Sequence, residues 1–447
     1  MRPSISRSQP AAWSRSGRRW RSDTQFRALR SPRLEIGIAG AGPAGLAAAL
    51  LLSRAGHRVS LFERFETPQP VGSGLILQPT GLAVLDQLAL LPTMLSLGSR
   101  IDRLHGADAR TGRTVLDVRY AAGGTGRFGL AVHRAALHGT LLDAARDEGL
   151  VIEAGTTITG REGDGPSYLM TEGGRRIGPF DLLVDAGGSR SPLRAELDGG
   201  RAPRTLAYGA FWASLPWREG AFDPHALTQR YQRAAVMIGV LPIGRAKPDG
   251  EKLAAFFWSF KPAEVDAVRG QGIEAWKTRV TRIWPEAAAY ADQVTSFDQL
   301  TLARYAHHTL VSPAARGLAV IGDSAHATSP QLGQGANMAL LDAATLVHAL
   351  KTGADLADGL ARYSAARRWH VRLFQLLSLA FTPFYQSDSR VLPWVRDRVV
   401  AHLAKMPPTP RLLQAVVSGT LLDPFSPAGL AEPDWNHIRA NRRQPEI

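Results

Sequence analysis

Three stretches of this 447-residue chain predict an α/β protein. Residues 34–39 form a short apolar run that passes directly into Gly40-Ala41-Gly42-Pro43-Ala44-Gly45 and an alanine- and leucine-rich segment, which reads as strand, turn and helix. Residues 319–343, AVIGDSAHATSPQLGQGANMALLDA, repeat that order with a longer glycine-rich loop. Between them, residues 204–260 carry four runs with strand signals, separated by polar or Gly/Pro turns. The expected architecture is a Rossmann-like dinucleotide-binding domain with an inserted mixed β-sheet domain and C-terminal helices.

In the first unit, Gly40 permits a tight turn, Gly42 lets backbone approach a pyrophosphate, and Gly45 allows close helix packing. A second strand over residues 58–62 ends at Glu63-Arg64, with Glu63 lying 23 positions after Gly40 (63 − 40). A carboxylate there accepts hydrogen bonds from both ribose hydroxyls and repels a 2′-phosphate, so the unit reads as a site for FAD or NAD rather than NADP. Gly72 and Gly74 then precede an amphipathic helix that begins after Pro79, with Gln78 at the turn. Residues 99–120 read as a hairpin turning at 110–112 that opens a second sheet.

A strand over 128–132 ends at His133-Arg134 and leads into a helix over 135–148, placing the Arg134 guanidinium where it can meet phosphate or polyol oxygens. Another strand, 181–185, runs into Ala186-Gly187-Gly188-Ser189-Arg190-Ser191, a further glycine turn expected to open a helix. In the second long unit, Gly322-Asp323 puts a carboxylate just past a strand end, where open α/β sheets hold ligands. A polyol hydroxyl suits it. The helix expected to start near Ala336 presents unpaired N–H groups to an anionic or electron-rich group. By itself the stretch reads equally well as an ordinary strand-to-helix connection.

Composition removes several chemistries. The chain has no cysteine, so disulfides, thiolate metal sites, iron–sulfur clusters and dithiol redox relays are excluded. No apolar run is long enough to span a bilayer. No HExxH-like metal spacing occurs, and His307-His308 read as surface or turn residues. The net charge of +14 suggests nucleic acid, but residues 1–33 alone supply +8 from nine arginines and one aspartate. That serine-rich leader is expected to be disordered, either a dispensable tail or upstream misassigned start, or a transit peptide. The expected location is cytoplasmic, with peripheral membrane contact through the apolar C-terminal segments as one option.

GAGPAG with Glu63, His133-Arg134, DLLVDAGGSRSPLR and IGDSAHATSPQLGQGAN occur in this order. Together they resemble the group A flavoprotein monooxygenases of the para-hydroxybenzoate hydroxylase fold. The likeness implies an FAD-binding domain (34–98, 126–200 and 301–350), a substrate-binding sheet domain (99–125 and 201–300) and a C-terminal helical region (351–447). It implies that Gly40, Gly42, Pro43, Ala44 and Gly45 hold the ADP part of non-covalent FAD, and Glu63 with Arg64 the ribose end. Arg134 would meet the ribityl–pyrophosphate region, Asp323 the ribityl hydroxyls, and the Gly335-Ala336-Asn337 amides the flavin pyrimidine.

One departure stands in the third motif, where the family usually carries aspartate and glycine and this chain has Gly187-Gly188, with Asp185 two residues earlier. Trp212, Tyr231, Met237, Phe257 and Trp258 are candidates to line an aromatic pocket, or to fill a core. There is no second strand–GxGxxG–helix unit, and so no separate nicotinamide domain, and no WxWxIP signature. The resemblance implies NAD(P)H as electron donor, molecular oxygen, a flavin 4a-hydroperoxide and an aromatic or quinone-like substrate. A flavin-dependent isoprenoid double-bond reductase and a non-catalytic flavin-binding protein are the alternatives.

Overall fold

A computed structural model describes residues 33–67, 73–163 and 165–441 of the chain. The leader up to residue 32 and Gly72 lie outside the described residues. Strand β1 (Glu35–Ala39) lies between two parallel neighbours, β2 (Arg58–Phe62) and β3 (Leu182–Asp185), and β4 (Leu318–Val320) adds beside β3. Val151–Glu153 continues the sheet beyond β2, and Ala314–Ala315 closes its other edge antiparallel. Both faces of this sheet are covered, one by helices and the other by a three-stranded antiparallel sheet that brings Leu169 and Phe180 against Ala39, Phe62 and Leu183, so its central strands are buried on both sides.

Register aligns the carboxyl ends: Ala39 pairs with Phe62 and with Asp185, and Asp185 with Val320. The turns after β1, β2, β3 and β4 therefore stand side by side on one sheet edge. Helix α1 (Pro43–Arg54) opens with Pro43 in its first turn, where a missing N–H costs no hydrogen bond. It is buried from Ala44 to Leu52, as expected of a helix held between layers. Helix α2 (Arg134–Asp147) packs beside α1, and α3 (Gly335–Thr352) crosses α1 on the same face. Helix α4 (Leu356–Tyr385) covers α3.

The second sheet has seven strands in the order 301–307, 204–216, 253–260, 236–244, 226–232, 103–108 and 114–119. It is mixed, since 226–232 and 103–108 run parallel. Its strands alternate, and alternation assigns faces. Phe211, Phe256, Trp258 and Phe260 pack against the helices Val265–Gly270 and Ile273–Ile283. Trp258, a pocket candidate in sequence, thus belongs to a core on the far face, with its ring stacked 5.1 Å from Phe260. Trp212 and Phe257 face the other way, paired in register with ring centroids 4.6 Å apart. Gly239 makes room for that Phe257 ring, since a Cβ there would stand 2.0 Å from it.

Three expectations are corrected. The strand ending at His133 joins an antiparallel sheet of three, with Gly74–Leu77 and Ser99–Ile101 on either side. Residues 99–101 therefore leave the expected hairpin, which is Arg103–Asp108 with Thr114–Arg119. The turn after β3 opens only the four-residue helix Ala195–Asp198, because Pro192 interrupts the backbone ladder and Gly188 takes φ +81°. His307 ends a strand, and both it and His308 are half-buried rather than surface residues.

Candidate active site

At the β1 turn, Gly40 has φ +105°, and a Cβ on it would lie 2.5 Å from the Ala186 carbonyl oxygen. A Cβ on Gly45 would lie 1.9 Å from the Gly40 carbonyl oxygen. Both positions exclude any side chain. Gly42 differs: a Cβ there would meet nothing within 4 Å, and it caps α1 without a side-chain hydrogen bond. The N-terminal amides of α1 thus face open space beside a glycine, a cradle sized for phosphate oxygens.

Glu63, buried at the end of β2, accepts from the Ala41 amide at 2.8 Å and the Phe65 amide at 3.1 Å. Each carboxylate oxygen retains a second lone pair for a hydroxyl donor. Arg64 is exposed, its guanidinium 4.7 Å from the Phe65 ring. Arg134 opens α2, exposed, with its amide bound to the Ser73 carbonyl at 2.8 Å. It has no carboxylate partner among the described residues.

Past β4, Gly322 turns the chain with φ +63°, and Asp323 begins a single helical turn, Asp323–His326, that the sequence reading did not anticipate. A Cβ on Gly322 would stand 3.2 Å from both Ala44 and Ala339, so this turn sits between the start of α1 and α3. Asp323 is exposed, and a Cβ on Gly335 would lie 3.8 Å from its carboxylate. The N-terminus of α3 has no side-chain cap, leaving the Gly335, Ala336 and Asn337 amides outward. The Asn337 side chain is committed elsewhere: it accepts from Gln78 N at 2.8 Å and donates to the Ile76 and Gly333 carbonyls. Gln78 is itself buried, accepting from the Tyr120 hydroxyl at 2.5 Å, so it is a packing residue.

Two buried carboxylates hold this edge together, Asp185, which the sequence shows two residues before Gly187, and one that the sequence did not single out. Asp185 is fully buried at the end of β3, where one carboxylate oxygen accepts from Gly187 N at 2.9 Å and Ser324 Oγ at 3.1 Å. Ser324 also lies 3.0 Å from the Gly188 carbonyl oxygen. Asp185 therefore ties the turn after β3 to the Asp323 turn. Its other oxygen has no hydrogen-bond partner among the described residues, and burial pushes its carboxyl up to about 6.

The second group is Asp342, buried inside α3, which accepts from Gly322 N at 2.8 Å, lies 2.5 Å from His326 Nε2, and accepts from Arg367 Nε at 2.6 Å. Burial alone would raise Asp342, but His326 and Arg367 hold it below the ordinary carboxylate range. Its only sequence signal is a charge inside an otherwise apolar helix.

Facing this edge, Trp212 Nε1 donates to Tyr305 Oη at 2.9 Å. The Tyr305 oxygen then carries an unspent hydrogen. Burial pushes its phenol up to about 12 against the opposing pull of Trp212 and the Arg134 cation. Ser214, on the same strand as Trp212, lies 2.8 Å from Ser73 Oγ and 3.0 Å from His133 Nε2, linking the two sheets. Among the described residues no cluster of His, Cys, Asp or Glu could hold a metal.

Backbone-lined turns at the carboxyl edge of a parallel sheet, with an acidic residue ending β2, define a dinucleotide-binding oxidoreductase. The chain matches the family described as FAD binding domain over residues 33–374, and it belongs to that family. The expected kinship with the group A flavoprotein monooxygenases is borne out.

An FAD-dependent urate hydroxylase of Klebsiella pneumoniae is 26% identical over 341 residues, covering 75% of this chain and 86% of its own. The aurachin C monooxygenase/isomerase of Stigmatella aurantiaca is 25% identical over 379 residues, 82% of this chain and 94% of its own. Among solved structures, tetrameric 2-methyl-3-hydroxypyridine-5-carboxylic acid oxygenase aligns with TM-score 0.72 and 20% identity over 90% of this chain and 99% of its own. Klebsiella pneumoniae HpxO, complexed with FAD and uric acid, aligns with TM-score 0.72 and 21% identity, over 87% and 98%. At these identities the structural likeness gives the fold.

Proposed function

We propose that this protein holds FAD non-covalently along the edge built by the four turns and uses NAD(P)H and dioxygen to hydroxylate an electron-rich aromatic or quinone-like small molecule. The observation that carries the reading is the convergence of an open cradle at Gly42, the exposed Asp323 carboxylate and the uncapped α3 N-terminus on one edge. Those features fit, in turn, a pyrophosphate, a polyol and an electron-rich ring system. FAD held there would supply a hydride acceptor for NAD(P)H and, with dioxygen, the means of placing one oxygen atom on the substrate while the other leaves as water.

The chain's own groups bind and orient. Glu63 takes ribose hydroxyls, with Arg64 beside it, and Arg134 neutralises phosphate charge at the start of α2. The α3 amides stabilise negative charge developing in front of them. The face bearing Trp212, Phe257 and Tyr305 supplies an apolar wall with one phenolic donor, a pattern suited to a planar ring carrying an oxygen substituent. The relatives' substrates, urate for one, have that character.

The test is to reconstitute purified protein with FAD and follow NAD(P)H oxidation and oxygen uptake against a panel of phenols and quinolones. Stimulation of both by one compound is expected. Protein that takes up no flavin would overturn the cofactor assignment, and substrate reduction without oxygen uptake would make it a reductase.

A further inference from the structure

All but three of the large hydrophobic residues exposed among the described residues lie between Trp369 and Leu412. Scattered exposed apolar residues need no explanation, but such a concentration does. On α4, Trp369 is 66% exposed and Leu376 64%, seven residues apart (376 − 369) and so on one helical face. The next helix, Val391–Val395, contacts α4 and presents Trp394 at 58% exposure, and the chain continues through exposed Leu403 and Met406.

The charges in this stretch have one sign. Arg368, Arg372, Arg398, Lys405 and Arg411 are exposed among the apolar residues. The only acids from 365 to 412 are Asp388 and Asp397, and both are spent: Asp388 on Lys261 and Tyr208, Asp397 on Arg396. Arg372 lies 5.5 Å from the Trp369 ring, so cation and indole sit together as they do at a headgroup layer.

We infer that the 369–412 surface docks on an anionic lipid bilayer, with Trp369, Trp394 and their apolar neighbours entering the interface and the basic residues meeting headgroups. A second copy of the chain fits poorly, because a two-fold interface would set the same uncompensated cations against each other. No helix among the described residues is long and apolar enough to cross a membrane, so the contact is peripheral.

The experiment is flotation of the full-length FAD-loaded protein with phosphatidylcholine vesicles, with and without phosphatidylglycerol. Wild type floats with the anionic vesicles. Trp369→Ser/Trp394→Ser and Arg398→Glu/Lys405→Glu each lower partitioning by roughly tenfold or more while FAD content stays unchanged. The arginine-rich leader also favours anionic vesicles, so the loss caused by these variants in the full chain is the deciding quantity. Variants that float like wild type would overturn the proposal. So would a dimer, seen by sedimentation velocity, that Trp394→Ser dissociates, since the face would then be a protein interface.

Discussion

Asp185 ends β3 and Asp323 follows the end of neighbouring β4, yet the surroundings of these two carboxylates give them different work. Asp323 is exposed and unspent. Asp323→Ala should weaken FAD binding roughly tenfold to a hundredfold, the loss of charge-assisted hydrogen bonds, with the circular dichroism spectrum unchanged. Titration of apoprotein by flavin fluorescence measures it, and an unaltered dissociation constant would remove Asp323 from the site.

Asp185 is buried with one oxygen unpartnered, and its carboxyl stands near 6 against 3.8 for an ordinary aspartate. The folded state therefore holds this proton more tightly than the unfolded chain. Its contribution to stability is greatest below about pH 4 and declines as pH rises through about 6. Relative to Asp185→Asn, wild-type apoprotein should lose up to about 3 kcal/mol between pH 4 and 7, measured by urea denaturation across that range. A constant difference between the two proteins would contradict the assignment. The offset of this carboxylate from its usual place was legible as a departure at Gly187. Its pairing with Ser324 was not, because 139 residues separate the two.

At the scale of elements, the Asp342–His326–Arg367 group fixes α3 and the Gly322 turn in one geometry. Arg367→Met should destabilise the protein by roughly 3–5 kcal/mol, since Asp342 would lose its permanently charged partner in a dry site. Chemical denaturation reads this directly, and a change within experimental scatter would show the ion group to be dispensable. On the mixed sheet, Tyr305→Phe removes the free phenolic hydrogen while keeping the ring packed. It should lower kcat/KM about tenfold without changing FAD content. Equal kinetics would place the substrate elsewhere.

The strand–glycine–helix units were legible because much of their information is local: Gly40 takes a positive φ, Gly45 packs on the Gly40 carbonyl and Pro43 opens the helix, although Gly40 also answers the distant Ala186 carbonyl. The Arg367–Asp342 pair joins two helices, and no periodicity announces it.

For the whole molecule, aligned carboxyl ends bring turns from residues 40, 63, 186 and 322 to one edge, and the mixed sheet sets Trp212, Phe257 and Tyr305 on the face toward it. The order of motifs foretold the α/β class and the sheet of aromatic strands. It did not foretell the three-stranded sheet through Gly129–His133, which depends on pairings between distant segments. Nor did it separate Trp258 from Phe257, although adjacent strand residues must face opposite ways once one face is known.

The most direct measurement is turnover under heavy-isotope dioxygen with NAD(P)H and the best substrate from the panel, with product analysed by mass spectrometry. One labelled oxygen atom in the product, with one NAD(P)H oxidised per product formed, is the predicted result. A product that carries no label, or a reduced product formed without oxygen uptake, would contradict monooxygenation.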